Sequence, residues 1–248
     1  MHGPDADESI GIQLVRGSHI VVARRYTGKQ AYTLQNDDGR VVFVLPFHDD
    51  FTLIGTTEVR TEDPDEPPAA SDDEVDYLCR TVNRYLRDPV TPANVVWKFS
   101  GVRPLLDDGK SRHDTSRTSR EYRFLLDQPR AEDPPLLTIV GGKLTTYRHL
   151  AEKALEKLAP FFSYMGPPWT SETVLPEATL DPRHEPGRDF GGGLCERDAH
   201  YYLTQEWARE ADDILWRRTK AGLRMNAQQR KVFSAWLAEE KRKMKAQS

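Results

Sequence analysis

The stretch QAYTLQNDDGRVVFVLPFHDDFTLIGTTEV, Gln30–Val59, decides the fold class. Its β-branched and aromatic residues fall into short runs separated by Asn36-Asp37-Asp38-Gly39 and by Asp49-Asp50, both turn-forming clusters. With GIQLVRGSHIVVARR ahead of it, this pattern predicts an antiparallel sheet of about four strands.

Working outward, Ser71 stands three residues before Glu74, the spacing of a capping box. Val75, Leu78, Val82, Tyr85 and Leu86 follow at helical spacing and predict a helix whose apolar stripe is core. NVVWKFSGVRPLL and SREYRFLLD read as strands, joined by the hydrophilic loop DDGKSRHDTSRT. PPLLTIV reads as a last strand, apolar enough to be buried on both faces. It leads through Gly141-Gly142 into an amphipathic helix.

From Gly166 to Gly193 the chain is rich in Pro and Gly and reads as a linker. ERDAHYYLTQEWAREADDILWRRTKAGL and NAQQRKVFSAWLAEEKRKMKA then predict two helical stretches, separated near Gly222, the second capped by Asn226. The expected class is α+β, an antiparallel or mixed sheet with flanking helices over residues 1–165. A linker, 166–193, and a small all-α C-terminal domain, 194–248, complete it.

Composition narrows the function. A net charge of -4 and a pI near 6.0 argue against a general nucleic-acid binder. Two cysteines, Cys79 and Cys195, support neither a disulfide framework nor a cysteine-rich zinc site and fit a reducing compartment. The seven histidines show no metal-ligand spacing, so no metal is expected. No apolar run approaches the roughly 20 residues that span a bilayer. The start MHGPDADESIGIQL carries no export signal, which leaves a cytoplasmic protein with peripheral membrane contact open.

Three places carry candidate chemistry. In VGGKLTTYR, the glycines permit close backbone approach, the helix start offers N–H groups, and Lys143 adds a cation. The spacing leaves two readings equally open: a cradle for a phosphate or flat ring, and a plain strand-to-helix turn capped by its threonines. Arg103 and Arg120, placed where strands meet loops, present planar forks that match phosphate or carboxylate, although a strand-end arginine is often just a surface charge. His19, where a turn enters an apolar strand, has the chemistry of a general base and equally of a hydrogen-bonded structural residue. The two hydroxyls of IGTTEV suit a sheet edge or a ligand contact.

Taken in order, GSHIVV, QAYTLQN, VVFVLPF, IGTTEV, SGVRPLL, SREYRF, GGKLTTYRHLAEKALEKL and EWAREADDILWRRTK resemble the FAD-dependent glycerol-3-phosphate dehydrogenase family. The resemblance implies oxidation of sn-glycerol 3-phosphate to dihydroxyacetone phosphate through FAD, with electrons passed to quinone. It implies a peripheral protein on the cytoplasmic face of the membrane, commonly a dimer. By the same resemblance, Gly142, Lys143, Leu144 and Thr145 match a flavin-contacting loop. Arg103 and Arg120 match arginines that hold substrate, Lys143 shares in that contact, and His19 lines the pocket, with His19 and Arg103 the catalytic candidates.

Two departures stand out. The family pattern opens with a strand, a G-x-G-x-x-G turn and a helix that seats the FAD pyrophosphate, and no such unit occurs in these residues. The segment between VLPEATL and CERDAHYYL is also shorter than the family's. The expectation is therefore the C-terminal part of such an enzyme. The alternative is a non-catalytic fragment or anion-binding module that needs a separate FAD-binding chain.

Overall fold

The computed structural model describes residues 11–63, 65–107, 122–128, 130, 132–175 and 185–246. The chain divides into two compact units, Met1–Thr173 and Val174–Ser248.

The first unit is built on β1 (Gly11–Ala23), β2 (Tyr32–Gln35), β3 (Val41–Phe47), β4 (Phe51–Gly55), β5 (Val59–Arg60) and β6 (Val95–Asp107). β1 is the spine. It pairs with β6 along one edge, and with β4 and β5 along successive parts of the other; β3 and β2 extend the sheet from β4. Every one of these pairs is antiparallel. The two predicted turns join β2 to β3 and β3 to β4. In the first, Gly39 takes a φ of +78° and its N–H bonds the Asn36 carbonyl at 3.0 Å.

Two expectations change here. His19 does not sit at a turn, and Arg103 does not sit at a strand end; both lie inside 13-residue strands. The reason is the β1–β6 ladder, which runs without a break from Gly11↔Asp107 to Val21↔Trp97 and keeps Gly17, opposite Gly101, in register. Pro104 is tolerated because a proline without an N–H fits an edge strand.

Side chains alternate across β1. Ser18, Ile20 and Val22 face helix α1 (Asp72–Val82), while Gly17, His19 and Val21 face the other way. On the α1 side, Ile20, Val22, Leu34, Val42, Val44 and Ile54 close on Val75, Leu78, Cys79 and Val82. The helix starts where predicted. It ends at Val82, so Tyr85 and Leu86 lie beyond it: Leu86 still packs on the core, whereas Tyr85 is half exposed and donates its hydroxyl to the Gln35 carbonyl at 3.0 Å. Asn83 stops the helix by clamping Val90, accepting its N–H at 2.7 Å and donating to its carbonyl at 2.9 Å.

β7 (Tyr122–Asp127) and β8 (Leu136–Gly141) form a separate antiparallel hairpin. The expected two-sided burial of β8 does not hold. Leu136 is 63% and Ile139 43% exposed, because a strand with β7 as its one ladder partner among the described residues has too little sheet around it to bury both faces. A short 3-10 turn, Leu144–Thr146, then leads into α2 (Tyr147–Leu158).

The second unit holds a hairpin of β9 (Asp189–Gly191) and β10 (Leu194–Cys195), then α3 (Glu196–Gln205) and α4 (Ala227–Ala246). Phe190 and Leu194 from the hairpin pack with Ala199, Ile214, Phe233 and Leu237. The first predicted helical stretch is interrupted: Trp207 adopts a φ of +55°, and Asp213 restarts helical structure by accepting the N–H groups of Arg209 and Glu210 at 2.8 and 2.9 Å. Asn226 caps α4 reciprocally with Gln229, two bonds of 2.9 Å. Among the described residues no helix is long and apolar enough to cross a membrane.

Leu78 is fully buried at the centre of the first core. Leu78→Ala is expected to cost about 2–5 kcal/mol in urea unfolding through the cavity it leaves.

Candidate functional site

The most polar buried point of the first unit is the carboxylate of Glu74. It is 6% exposed and ends the first turn of α1 directly beneath the β1–β6 pair. One oxygen, Oε1, accepts the hydroxyls of Thr57 (2.6 Å) and Ser18 (2.7 Å). The other, Oε2, accepts the Ser71 N–H at 2.9 Å and the Ser71 hydroxyl at 3.0 Å, and meets the Arg16 guanidinium at 3.1 Å. Ser18 extends the network to the Ser100 hydroxyl on β6, 2.7 Å away, and its N–H bonds Thr57 Oγ1 at 2.9 Å. Burial pushes the carboxyl's pKa up, but the bonds from Thr57, Ser71 and Ser18 outweigh it and hold Glu74 below the ordinary glutamate range.

This network fixes the 56–58 segment that follows β4, and that segment holds Arg103. Arg103 Nη2 donates to Thr56 Oγ1 at 3.2 Å, and Nη1 lies 3.7 Å from Glu58 Oε1. The guanidinium folds back along the sheet until it lies over Gly17, on the face opposite α1.

His19 shares that face. Its ring packs over Gly55, which leaves no room for a side chain, and stacks on Phe99 with centroids 5.1 Å apart and planes 4° apart. Phe99 in turn stacks on Trp97 at 4.6 Å. Burial, and then the charge of Arg103, push the His19 pKa down to about 4. Its imidazole is neutral at pH 7. Its Nδ1 is buried without a hydrogen-bond partner among the described residues. The sheet thus brings together two of the predicted site residues, His19 and Arg103.

The others lie elsewhere. Arg120 falls outside the described residues. Gly142, Lys143, Leu144 and Thr145 follow β8 on a different segment, and all four are exposed, Leu144 to 87%. Gly141 and Gly142 take φ values of +79° and +107° there. Thr146 donates its hydroxyl to the Lys143 carbonyl at 3.1 Å, so no side chain caps the start of α2. The 3-10 turn satisfies the first N–H groups instead: that of Thr146 bonds the Lys143 carbonyl at 3.0 Å, and that of Tyr147 bonds the Leu144 carbonyl.

A family model described as FAD dependent oxidoreductase matches residues 1–148, the span that holds every one of these residues. The chain belongs to the FAD-dependent oxidoreductase family. It is 38% identical to the aerobic glycerol-3-phosphate dehydrogenase of Escherichia coli K12 over 270 residues, 92% of this chain and 53% of that protein. A glycerol-3-phosphate dehydrogenase of Pseudomonas aeruginosa is 37% identical, over 93% of this chain and 52% of its own length. A D-erythritol 1-phosphate dehydrogenase of Brucella abortus is 36% identical over 92% of this chain and 53% of that protein. The chain spans about half the length of these relatives. Among solved structures, the glycerol-3-phosphate dehydrogenase of Bacillus halodurans, complexed with FAD, superposes with a TM-score of 0.52 at 26% identity, over 67% of this chain and 30% of that one.

The sequence pattern alone misses the supporting half of this candidate site. It found Glu74 as a capping partner of Ser71 but not as the acceptor for Ser18, Thr57 and Arg16, all distant in sequence. The one signal was an acidic residue in a capping box whose helix had to pack against a strand bearing serine in an apolar run.

Glu74→Ala would leave the buried hydroxyls of Ser18 and Thr57, and the half-buried Arg16, without their acceptor, at an expected cost of about 3 kcal/mol in denaturant unfolding. Because the folded pKa is depressed, the contribution is full above the unfolded glutamate value of about 4.3 and is lost as pH falls through the folded one. The gap between wild type and variant is therefore expected to narrow only below about pH 4.3.

Proposed function

We propose that this chain supplies the substrate-facing part of a flavin-dependent polyol-phosphate dehydrogenase, with sn-glycerol 3-phosphate oxidised to dihydroxyacetone phosphate. The observation that carries this reading is the pairing of the Arg103 guanidinium with a neutral His19 imidazole on one sheet face. A guanidinium offers a planar, permanently charged fork for a phosphate dianion. A neutral imidazole is in the form that accepts the proton of a carbinol hydroxyl at pH 7. The names of the relatives, two glycerol-3-phosphate dehydrogenases and one D-erythritol 1-phosphate dehydrogenase, support a polyol phosphate as the substrate class.

FAD is the cofactor this reading requires, and residues 141–145 fit it. The two positive-φ glycines bring backbone close to whatever lies over them, and the positive end of the α2 dipole favours an electron-rich ring. Gly142, Lys143, Leu144 and Thr145 would hold the ring end of the cofactor. When bound, FAD supplies the two-electron oxidant that accepts hydride from the carbinol carbon. Arg103 binds and orients the phosphate with Arg120 and Lys143, and His19 takes the hydroxyl proton on its imidazole. The pyrophosphate would be held by a dinucleotide-binding segment, from the same polypeptide or a separate N-terminal chain.

The motif resemblance further supports quinone as the electron acceptor, a homodimer, and a place on the cytoplasmic face of the membrane. Calorimetry of this chain with sn-glycerol 3-phosphate, wild type against Arg103→Ala, tests the reading. Binding that falls at least about tenfold in the variant is expected, the usual size of a lost charged hydrogen-bond set. Absence of binding in the wild type would contradict it.

A further inference from the structure

Gly17 and Gly101 face each other on one rung of the β1–β6 ladder, between the rung of Arg103 and the rung of His19. Residues directly opposite in an antiparallel pair share a face, and residues two apart along a strand share it too. Gly17, Gly101, Arg103, His19 and Phe99 therefore all look out from the same side.

The two glycines nevertheless stand in different surroundings. A Cβ at Gly17 would meet Arg103 Nη2 and Thr56 Oγ1, each at 2.6 Å. Its place is already taken by the guanidinium and the hydroxyl that positions it. A Cβ at Gly101 would meet no heavy atom within 4 Å among the described residues. Gly101 takes no positive φ, so its backbone does not require glycine, and β-branched residues are favoured in strands. Glycine weakens a strand interior and is found where a ligand or another backbone comes close. The open side of Gly101 lies beside the Arg103 guanidinium, folded over Gly17 on the same rung, and one step along the face from His19.

We infer that Gly101 determines substrate size: the space above it takes the carbon chain of the polyol phosphate, between Arg103 at the phosphate and His19 at the carbinol. The guanidinium lies over the Gly17–Gly101 rung, and one same-face step of about 7 Å separates that rung from His19, which leaves room for a three-carbon chain between the two side chains. Phe99, locked between His19 and Trp97, walls the far end. The inference rests on the polyol-phosphate reading above.

The two glycines yield opposite expectations, measured by calorimetry on this chain with inorganic phosphate and with sn-glycerol 3-phosphate. Gly101→Val is expected to leave the affinity for inorganic phosphate within about twofold while weakening sn-glycerol 3-phosphate at least about tenfold, the usual penalty for methyl groups intruding on a fitted site. Gly17→Ala is expected to weaken both ligands alike, because it displaces the guanidinium. Melting temperature and far-UV circular dichroism report folding; should Gly101→Val fail to fold, Gly101→Ala is expected to give the same order of effects, about threefold. If Gly101→Val, or Gly101→Ala in its place, binds sn-glycerol 3-phosphate as the wild type does, while Arg103→Ala loses it, the role of Gly101 is overturned and the polyol-phosphate reading stands. If the wild type binds inorganic phosphate but not sn-glycerol 3-phosphate, both fall.

Discussion

A single buried carboxylate organises this sheet. Glu74 is carried into the interior by the first turn of α1, and it arrives with five donors around it. Removing a carboxylate from water costs several kcal/mol unless its lone pairs are satisfied, and here hydroxyls, a backbone N–H and a guanidinium satisfy them. The donors come from four separated places: β1, the 56–58 segment, the helix cap and, through Ser18, β6. Because the first three bind the same two oxygens and β6 is tied to them through the Ser18 hydroxyl, none can shift without exposing a partner. The network therefore sets the helix on the sheet and the register of the loop with one device.

The other face of the sheet depends on that rigidity. Thr57 donates to Glu74, and its neighbours Thr56 and Glu58 engage Arg103. Ser18 donates to Glu74, and its neighbour His19 points to the opposite side, where it stacks on Phe99. Alternation along a strand thus converts a fixed hydrogen-bond network on one face into fixed side-chain positions on the other. In the proposed enzyme, this is how a phosphate-binding cation and a proton acceptor keep their spacing, the first through the 56–58 segment and the second through β1 itself.

Much of the fold was legible because it obeys local rules. The turns at Asn36–Gly39 and Asp49–Asp50 punctuate β-branched runs, and Ser71 with Glu74 announces the start of α1. What failed was punctuation by glycine and proline inside ladders. Gly17 and Pro104 look like breaks in one dimension, but the β1–β6 pairing carries the chain straight through both. Trp207 failed in the opposite direction, since nothing in the helical periodicity of its stretch signals a residue at positive φ. For the candidate site, His19 and Arg103 were visible as residue types in suggestive motifs. Their proximity was not, because it arises from a cross-strand register and from a guanidinium folding back over Gly17. The donors to Glu74 were invisible for the same reason: Ser18 and Glu74 are 56 residues apart.

The central claim is that the Glu74 network holds the His19–Arg103 face together. The most direct test is the titration of His19 by NMR in the wild type and in a folded Glu74→Gln variant. The account predicts that His19 titrates near pH 4 in the wild type and moves up towards the free histidine value of about 6.5 in the variant, as the 56–58 segment and Arg103 loosen. A His19 that titrates identically in both proteins would contradict it.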